Sequence, residues 1–389
     1  DIVLYIKNPE VNLNPILSEV ERYGSHSGLN VNWDKSEAFP LTDKTIAPVT
    51  GRPLRWSPGG ARYLGINVTR DVSEMCRGNY GIALNDLSDK VEQWIRLPLG
   101  MMGRISLIKM VVLPKFLYLF LNLPIKLHAI FFASLRKILS RLVWAGKTPR
   151  VRWEVLMRPF NMGGLSVPDM YLYYLVAQAQ YIKYWRDPKS WQLQARVERS
   201  IKKTSALLGQ LLQRPQIRYD DVDTVGMTVY AWWEIAKKLG HHFPYSPLLP
   251  SWDNPLLPVT GERPVRKYLQ DAGMATMGDL FPNGTFITFT EFIRLAPATL
   301  LGGYTYQRLR EDSRRAFPSF PRPPPELLLL TAFLKRDSDT KSVTYLYSEI
   351  HRYAPRSDLP IRAKWEAVLG RALLDGEWQR CCAQVREMP

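Results

Sequence analysis

Few residue sets in this 389-residue sequence have the types and spacing that chemistry demands. The cysteines are Cys76, Cys381 and Cys382, too few and too badly spaced for a zinc site, and the adjacent pair is sterically awkward as a disulfide. A reducing compartment fits that usage. His26, His128, His241, His242 and His351 stand at no metal-ligand spacing with the cysteines or with one another, so structural or solvent-exposed roles are expected. Gly163-Gly164 is followed by neither Lys-Ser/Thr nor a second glycine set, and reads as a turn. The strongest signal is charge. Between Gln93 and Arg152 there is no Asp or Glu, while Arg96, Arg104, Lys109, Lys115, Lys126, Arg136, Lys137, Arg141, Lys147, Arg150 and Arg152 are basic. Elsewhere the chain holds 41 basic and 36 acidic residues, so most of the net charge of +16 sits in this stretch. Solvated helix surfaces usually mix both signs to limit self-repulsion; a face of one sign suits phosphate.

The elements that must position these cations follow from hydrophobic periodicity. In FFASLRKILSRLVW, Phe131, Leu135, Ile138 and Leu142 form one stripe at 3.6 residues per turn, with Lys137 and Arg141 elsewhere, which predicts an amphipathic helix. The aromatics Trp94, Phe116, Tyr118, Phe131, Phe132, Trp144 and Trp153 fall mostly on apolar stripes and are expected in the core, with one or two free to stack on bases. The most apolar run, MVVLPKFLYLFLNLPI, contains Pro114, Lys115 and Pro124, which predicts a break short of a bilayer span. Upstream, Ile2, Val3, Leu4, Tyr5 and Ile6 read as a strand buried on both faces. Leu13, Ile16, Val20 and Tyr23 predict a helix stopped by Gly24 and Gly28. LNVNW and the positions around Phe39 predict a second strand, and ARYLGINVT another. Proline-rich stretches near 244–258 and 318–325 predict linkers or rigid turns, and no internal repeat is visible.

Five stretches, in order, resemble the reverse transcriptases of non-LTR retrotransposons of the LINE type. They are DIVLYIKNP, SGLNVNWDKSEAF, ARYLGI, WIRLPLGMMGRISLIKMVVLPKFLYLFLNLPI and GGLSVPDMYLYY. The resemblance covers roughly the first 175 residues and thins beyond about Trp185. It implies an α+β, mostly helical fold: the end of a polymerase palm over 1–76, a helical basic thumb over 77–186, and a helical post-thumb region over 187–389. The family's cysteine-histidine cluster and endonuclease domain have no counterpart here.

The same resemblance assigns roles. Asp1 looks like the second aspartate of the paired-aspartate turn that holds Mg²⁺, where two metal ions activate the primer 3′-hydroxyl and neutralise the departing pyrophosphate. One aspartate cannot form that cage, so the chain alone is expected not to polymerise. Lys35 resembles the lysine that protonates pyrophosphate. Tyr63, Leu64 and Gly65 resemble the hairpin that grips the primer, with glycine allowing close backbone approach; an ordinary hairpin with Tyr63 and Ile66 in the core is the plain structural reading. Arg104, Lys109, Lys115, Lys137 and Arg141 are expected to hold nucleic acid, and Arg104 and Lys115, eleven residues apart, to share a helix face unless Pro114 bends the axis.

The implied partners are an RNA template, an RNA/DNA hybrid, and upstream palm and fingers of the same polyprotein, with no membrane. The implied setting is an intracellular ribonucleoprotein in nucleus or cytoplasm. Two other readings compete. One is a non-catalytic nucleic-acid-binding module from a decayed or repurposed element; the other is a helical protein docked on acidic membrane.

Overall fold

The computed structural model describes the chain apart from residues 1, 43–46, 48–49, 186–192, 203–206, 213–214, 216, 220–221, 240–245, 296–299, 317–324, 337–340, 354–359 and 385–389. It is 66% helix and 4% strand, a mostly helical α+β fold. The chain divides into two compact units, Asp1–Asp89 and Lys90–Pro389. That division falls inside a helix, Ile82–Trp94, whereas the sequence suggested boundaries after 76 and 186.

In the first unit α1 (Pro9–Ser27) buries Leu13 and Leu17 and runs through Gly24 to Gly28, whose φ of 76° caps it. Gly24 is therefore no stop: a Cβ there would meet the Leu29 carbonyl oxygen at 2.6 Å, so glycine permits a close pass of the returning chain. Strands β1 (Glu37–Ala38) and β2 (Arg55–Trp56) pair in parallel, and β3 (Ala61–Tyr63) and β4 (Ile66–Val68) form an antiparallel hairpin. Beyond them α2 (Val72–Cys76) passes through a π turn (Arg77–Gly81) into α3 (Ile82–Trp94). Buried Asn79 fixes the hairpin: its Oδ1 accepts from Asn67 N at 2.9 Å, and its Nδ2 donates to the Asn67 and Met75 carbonyls at 2.8 Å each.

Two strand expectations are corrected. Residues 2–6 are not in a ladder; Ile2 is 79% and Tyr5 84% exposed, because the described strands pair only with one another and leave no neighbour for this run. Of the strand expected over LNVNW and the positions around Phe39, only β1 beside Phe39 forms, and LNVNW is not in it. Asn32 Oδ1 accepts the Lys35 N–H at 3.2 Å, closing a 3₁₀ turn at Trp33–Lys35 that takes the backbone away from extended pairing.

The regular elements described in the second unit are helices, with one isolated bridge between Pro250 and Thr276. Here α4 (Met101–Leu107) continues through a π turn (Ile108–Val112) into α5 (Leu113–Asn122), followed by α6 (Ala129–Val143) and α7 (Trp153–Leu156). Next come α8 (Met170–Ala179), α9 (Leu193–Lys202), α10 (Thr224–Lys238), α11 (Arg263–Asp271), α12 (Met277–Leu280) and α13 (Phe289–Leu295). The remainder is α14 (Leu300–Ala316), α15 (Pro325–Lys335), α16 (Ser342–Tyr353), α17 (Pro360–Leu369) and α18 (Asp375–Gln384). The core centres on α8, which is buried nearly all round and packs against α5, α10 and α16. A helix without a polar face is what such a central position requires.

The proline-rich stretch over 246–258 is a packed turn, not a flexible linker. Ser246, Ser251 and Asn254 are buried, and Asn254 Nδ2 donates to the Pro250 carbonyl at 3.0 Å. Residues 244–245, and most of the 318–325 stretch, lie outside the described residues.

Candidate nucleic-acid interface

The acid-free stretch forms the long helix of α4 and α5, the connector 123–128, α6, and the loop 144–152. Its apolar side is continuous: Ile105, Ile108, Val112, Phe116 and Phe120 are buried along the long helix, and Leu135, Leu139 and Leu142 along α6, which packs on α4. Phe131 and Ile138 of the predicted stripe are half-buried. Burial of one stripe leaves the cations to the other sides.

The connector is held from behind by α8. Tyr174 Oη donates to the Ile125 carbonyl at 2.8 Å and accepts from Leu127 N at 3.1 Å, within a fully buried setting. Gln178 Nε2 donates to the Phe120 carbonyl, closing the end of α5. These two side chains fix where α6 begins. Nothing in the residue pattern singled them out, because YLYYLVAQAQ reads as a plain apolar helix.

Eleven cations occupy this frame in different ways. Arg96, Lys115, Lys137, Lys147, Arg150 and Arg152 stand exposed. Lys109 lies over the Phe160 ring at 5.7 Å. Lys126 is turned inward, between Tyr219 and Tyr230 at 4.5 and 4.9 Å, and donates to the Ile217 carbonyl at 3.2 Å. Acids from outside the stretch answer it at two positions: Arg136 pairs with Glu154 at 3.2 Å and Arg141 with Glu92 at 2.8 Å. Both acids lie just outside the stretch in sequence, and helical folding brings them back to it.

Arg104 and Lys115 do not share a face. In a regular helix eleven residues leave side chains about 20° apart, but the extra residue of the π turn rotates everything after it by roughly 100°. Lys115 is exposed, while Arg104 is half-buried with its Nε buried and unpartnered by any hydrogen bond. The same turn answers the expectation of a break at Pro114. Leu113 N–H donates to the Ile108 carbonyl, five residues back, and the widened turn accommodates the proline without ending the helix. The result is one 22-residue helix, Met101–Asn122, with a mean hydropathy of 1.6, long and apolar enough to cross a bilayer by length and composition. A core helix passes the same test, and this one carries Arg104, Lys109 and Lys115.

The remaining predicted site residues belong to the first unit. Tyr63, Leu64 and Gly65 form the exposed end of the β3–β4 hairpin, with φ of 46° at Leu64 and 82° at Gly65, the positive pair that a tight hairpin turn demands. Ile66 is buried, but Tyr63 is exposed and not in the core. Lys35 ends the 3₁₀ turn with its side chain exposed. Asp1 lies outside the described residues. Among the described residues no three or more His, Cys, Asp or Glu gather as metal ligands. No protein-family model matches the chain.

Proposed function

We propose that this chain is part of an RNA-directed DNA polymerase of the non-LTR retrotransposon type, spanning the end of the palm, the thumb and the region after it. Its second unit grips the RNA/DNA hybrid through the acid-free helices, and the hairpin at Tyr63–Gly65 positions the primer. Asp1 with Mg²⁺, and Lys35 as proton donor, belong to the chemistry of the intact polymerase. One observation carries the grip: a stretch without an acid folds so that its apolar stripe is inside and six cations, Arg96, Lys115, Lys137, Lys147, Arg150 and Arg152, are outside. Such a surface is neutralised by a phosphate backbone without reading its sequence.

Competition separates this reading from its rivals. A labelled RNA/DNA hybrid bound to the full chain should be displaced by unlabelled hybrid of any sequence and left in place by anionic vesicles at equal phosphate. Displacement by vesicles, or loss of binding when only the hybrid's sequence is changed, would overturn it. Joining the chain to upstream palm and fingers should give Mg²⁺-dependent primer extension. A join that carries the first aspartate of the paired turn and the metal-binding aspartate that the family bears on an upstream palm strand, and stays silent while still binding hybrid, would leave the non-catalytic binding module in its place.

A further inference from the structure

Three Ser/Thr-Pro dipeptides occur in the chain, and the fold treats them differently. Ser246, before Pro247, is fully buried, and its hydroxyl lies 2.9 Å from that of Thr331. Ser57, before Pro58, is half-buried with its backbone engaged: its N–H donates to the Ala38 carbonyl at 2.9 Å, and its carbonyl accepts from Gly60 N at 3.3 Å. Thr148, before Pro149, lies in the loop between α6 and α7, where residues 146–152 are all exposed. Among the described residues its hydroxyl meets no partner. Both ends of the loop are fixed. Gly146 N–H donates to the Arg141 carbonyl at 2.9 Å, Lys147 N–H to the Trp144 carbonyl at 3.0 Å, and Val155 N–H to the Arg152 carbonyl at 3.0 Å. Between these ends residues 148–151 make no backbone hydrogen bond among the described residues, and a residue before proline is biased to extended backbone.

We propose that Thr148 is a phosphorylation site, the acceptor for a protein kinase that reads proline after the accepting residue. Such an enzyme lays the acceptor and its neighbours in an extended run across its own cleft, which asks for a free hydroxyl and for backbone with no hydrogen bonds to break. Of the three dipeptides only that of Thr148 offers both. In the transfer Thr148 Oγ1 bonds to the γ-phosphorus of ATP, and the bond from that phosphorus to the oxygen it shares with the β-phosphate breaks. ADP leaves, and the hydroxyl proton passes to the kinase's aspartate. The product carries about 1.5 to 2 negative charges near pH 7. They stand between Lys147 on one side and Arg150 and Arg152 on the other, half of the exposed cations of the acid-free stretch. The new phosphate pairs with these cations and repels the phosphates of a nucleic acid, so the modification releases the hybrid, a consequence that rests on the function proposed above.

Treatment of the nuclease-digested full chain with a purified proline-directed kinase and ATP, read by mass spectrometry, tests the site with no nucleic acid present. Phosphate is expected on Thr148 and not on Ser57 or Ser246, and Thr148→Val and Pro149→Ala should each abolish it at that position with helical content unchanged. No phosphate on Thr148, or as much in Pro149→Ala as in the parent, overturns the proposal. Hybrid binding tests the consequence. The phosphorylated chain should bind roughly tenfold or more weakly at ~0.15 M salt, with a salt slope shallower by about two, while Thr148→Val binds as the parent does whether or not kinase has been added. Equal affinity of the phosphorylated and unmodified chains overturns the release. An unmodified chain that binds no hybrid defeats the grip instead, and incorporation alone still decides the acceptor site.

Discussion

At the scale of single residues, Tyr174 decides the placement of the basic helices more than any cation does. Its hydroxyl satisfies both a carbonyl and an amide of the connector between α5 and α6, where no water reaches. Tyr174→Phe removes both partners and leaves Ile125 O and Leu127 N buried and unmatched, which should cost about 1–3 kcal/mol in denaturant unfolding. Hybrid affinity should fall only to the extent that folded protein is lost. His351 gives a pH dependence. Burial pulls its pKa below the ordinary value of 6.5, Asp169 opposes that, and Lys238 adds to it. The unfolded chain therefore takes up a proton at a higher pH than the folded chain does, and stability should decline as pH falls below about 6.5. Unfolding midpoints from pH 7.5 to 5 should flatten in His351→Gln; an unchanged slope would remove His351 from the account.

At the scale of elements, the β3–β4 hairpin and the long helix show what a sequence discloses. Periodicity read ARYLGINVT as one strand and the family resemblance read a hairpin at Tyr63–Gly65; two strands form, with Leu64 and Gly65 as the turn between them. No atom crowds a Cβ built at Gly65, so Gly65→Ala tests backbone conformation alone; it should destabilise the first unit by roughly 1 kcal/mol in thermal unfolding. A stabilised variant would mean that the turn is not built on positive φ. The stripe of α6 was legible because local spacing settles which side is buried. The π turn at Ile108–Val112 was not, since one extra residue in a helix leaves no mark in hydropathy yet turns Lys115 away from Arg104. Nor were the pairs Arg136–Glu154 and Arg141–Glu92, because tertiary folding, not spacing, selects those acids. The run at residues 2–6 failed for a related reason: a strand exists only with its neighbours, and composition says nothing about whether they are at hand.

At the scale of the whole molecule, the two units are built differently. The second has a core around α8 and α10, with Trp232, Tyr174, Phe116 and Phe120 fully buried; the first relies on a few short strands, α1 and buried Tyr80. The cationic surplus lies wholly in the second, where 43 basic residues stand against 25 acidic ones, and the proposed function gives that unit the task of holding a polyanion; the most direct test is the salt dependence of hybrid binding by the full chain. If six of the eleven cations meet phosphates, log K should fall against log salt with a slope of roughly −4 to −5, and replacing Lys115, Lys137 and Lys147 by glutamine should shallow it by about one per residue removed. A slope near zero, or one that these three substitutions leave unchanged, would contradict the account.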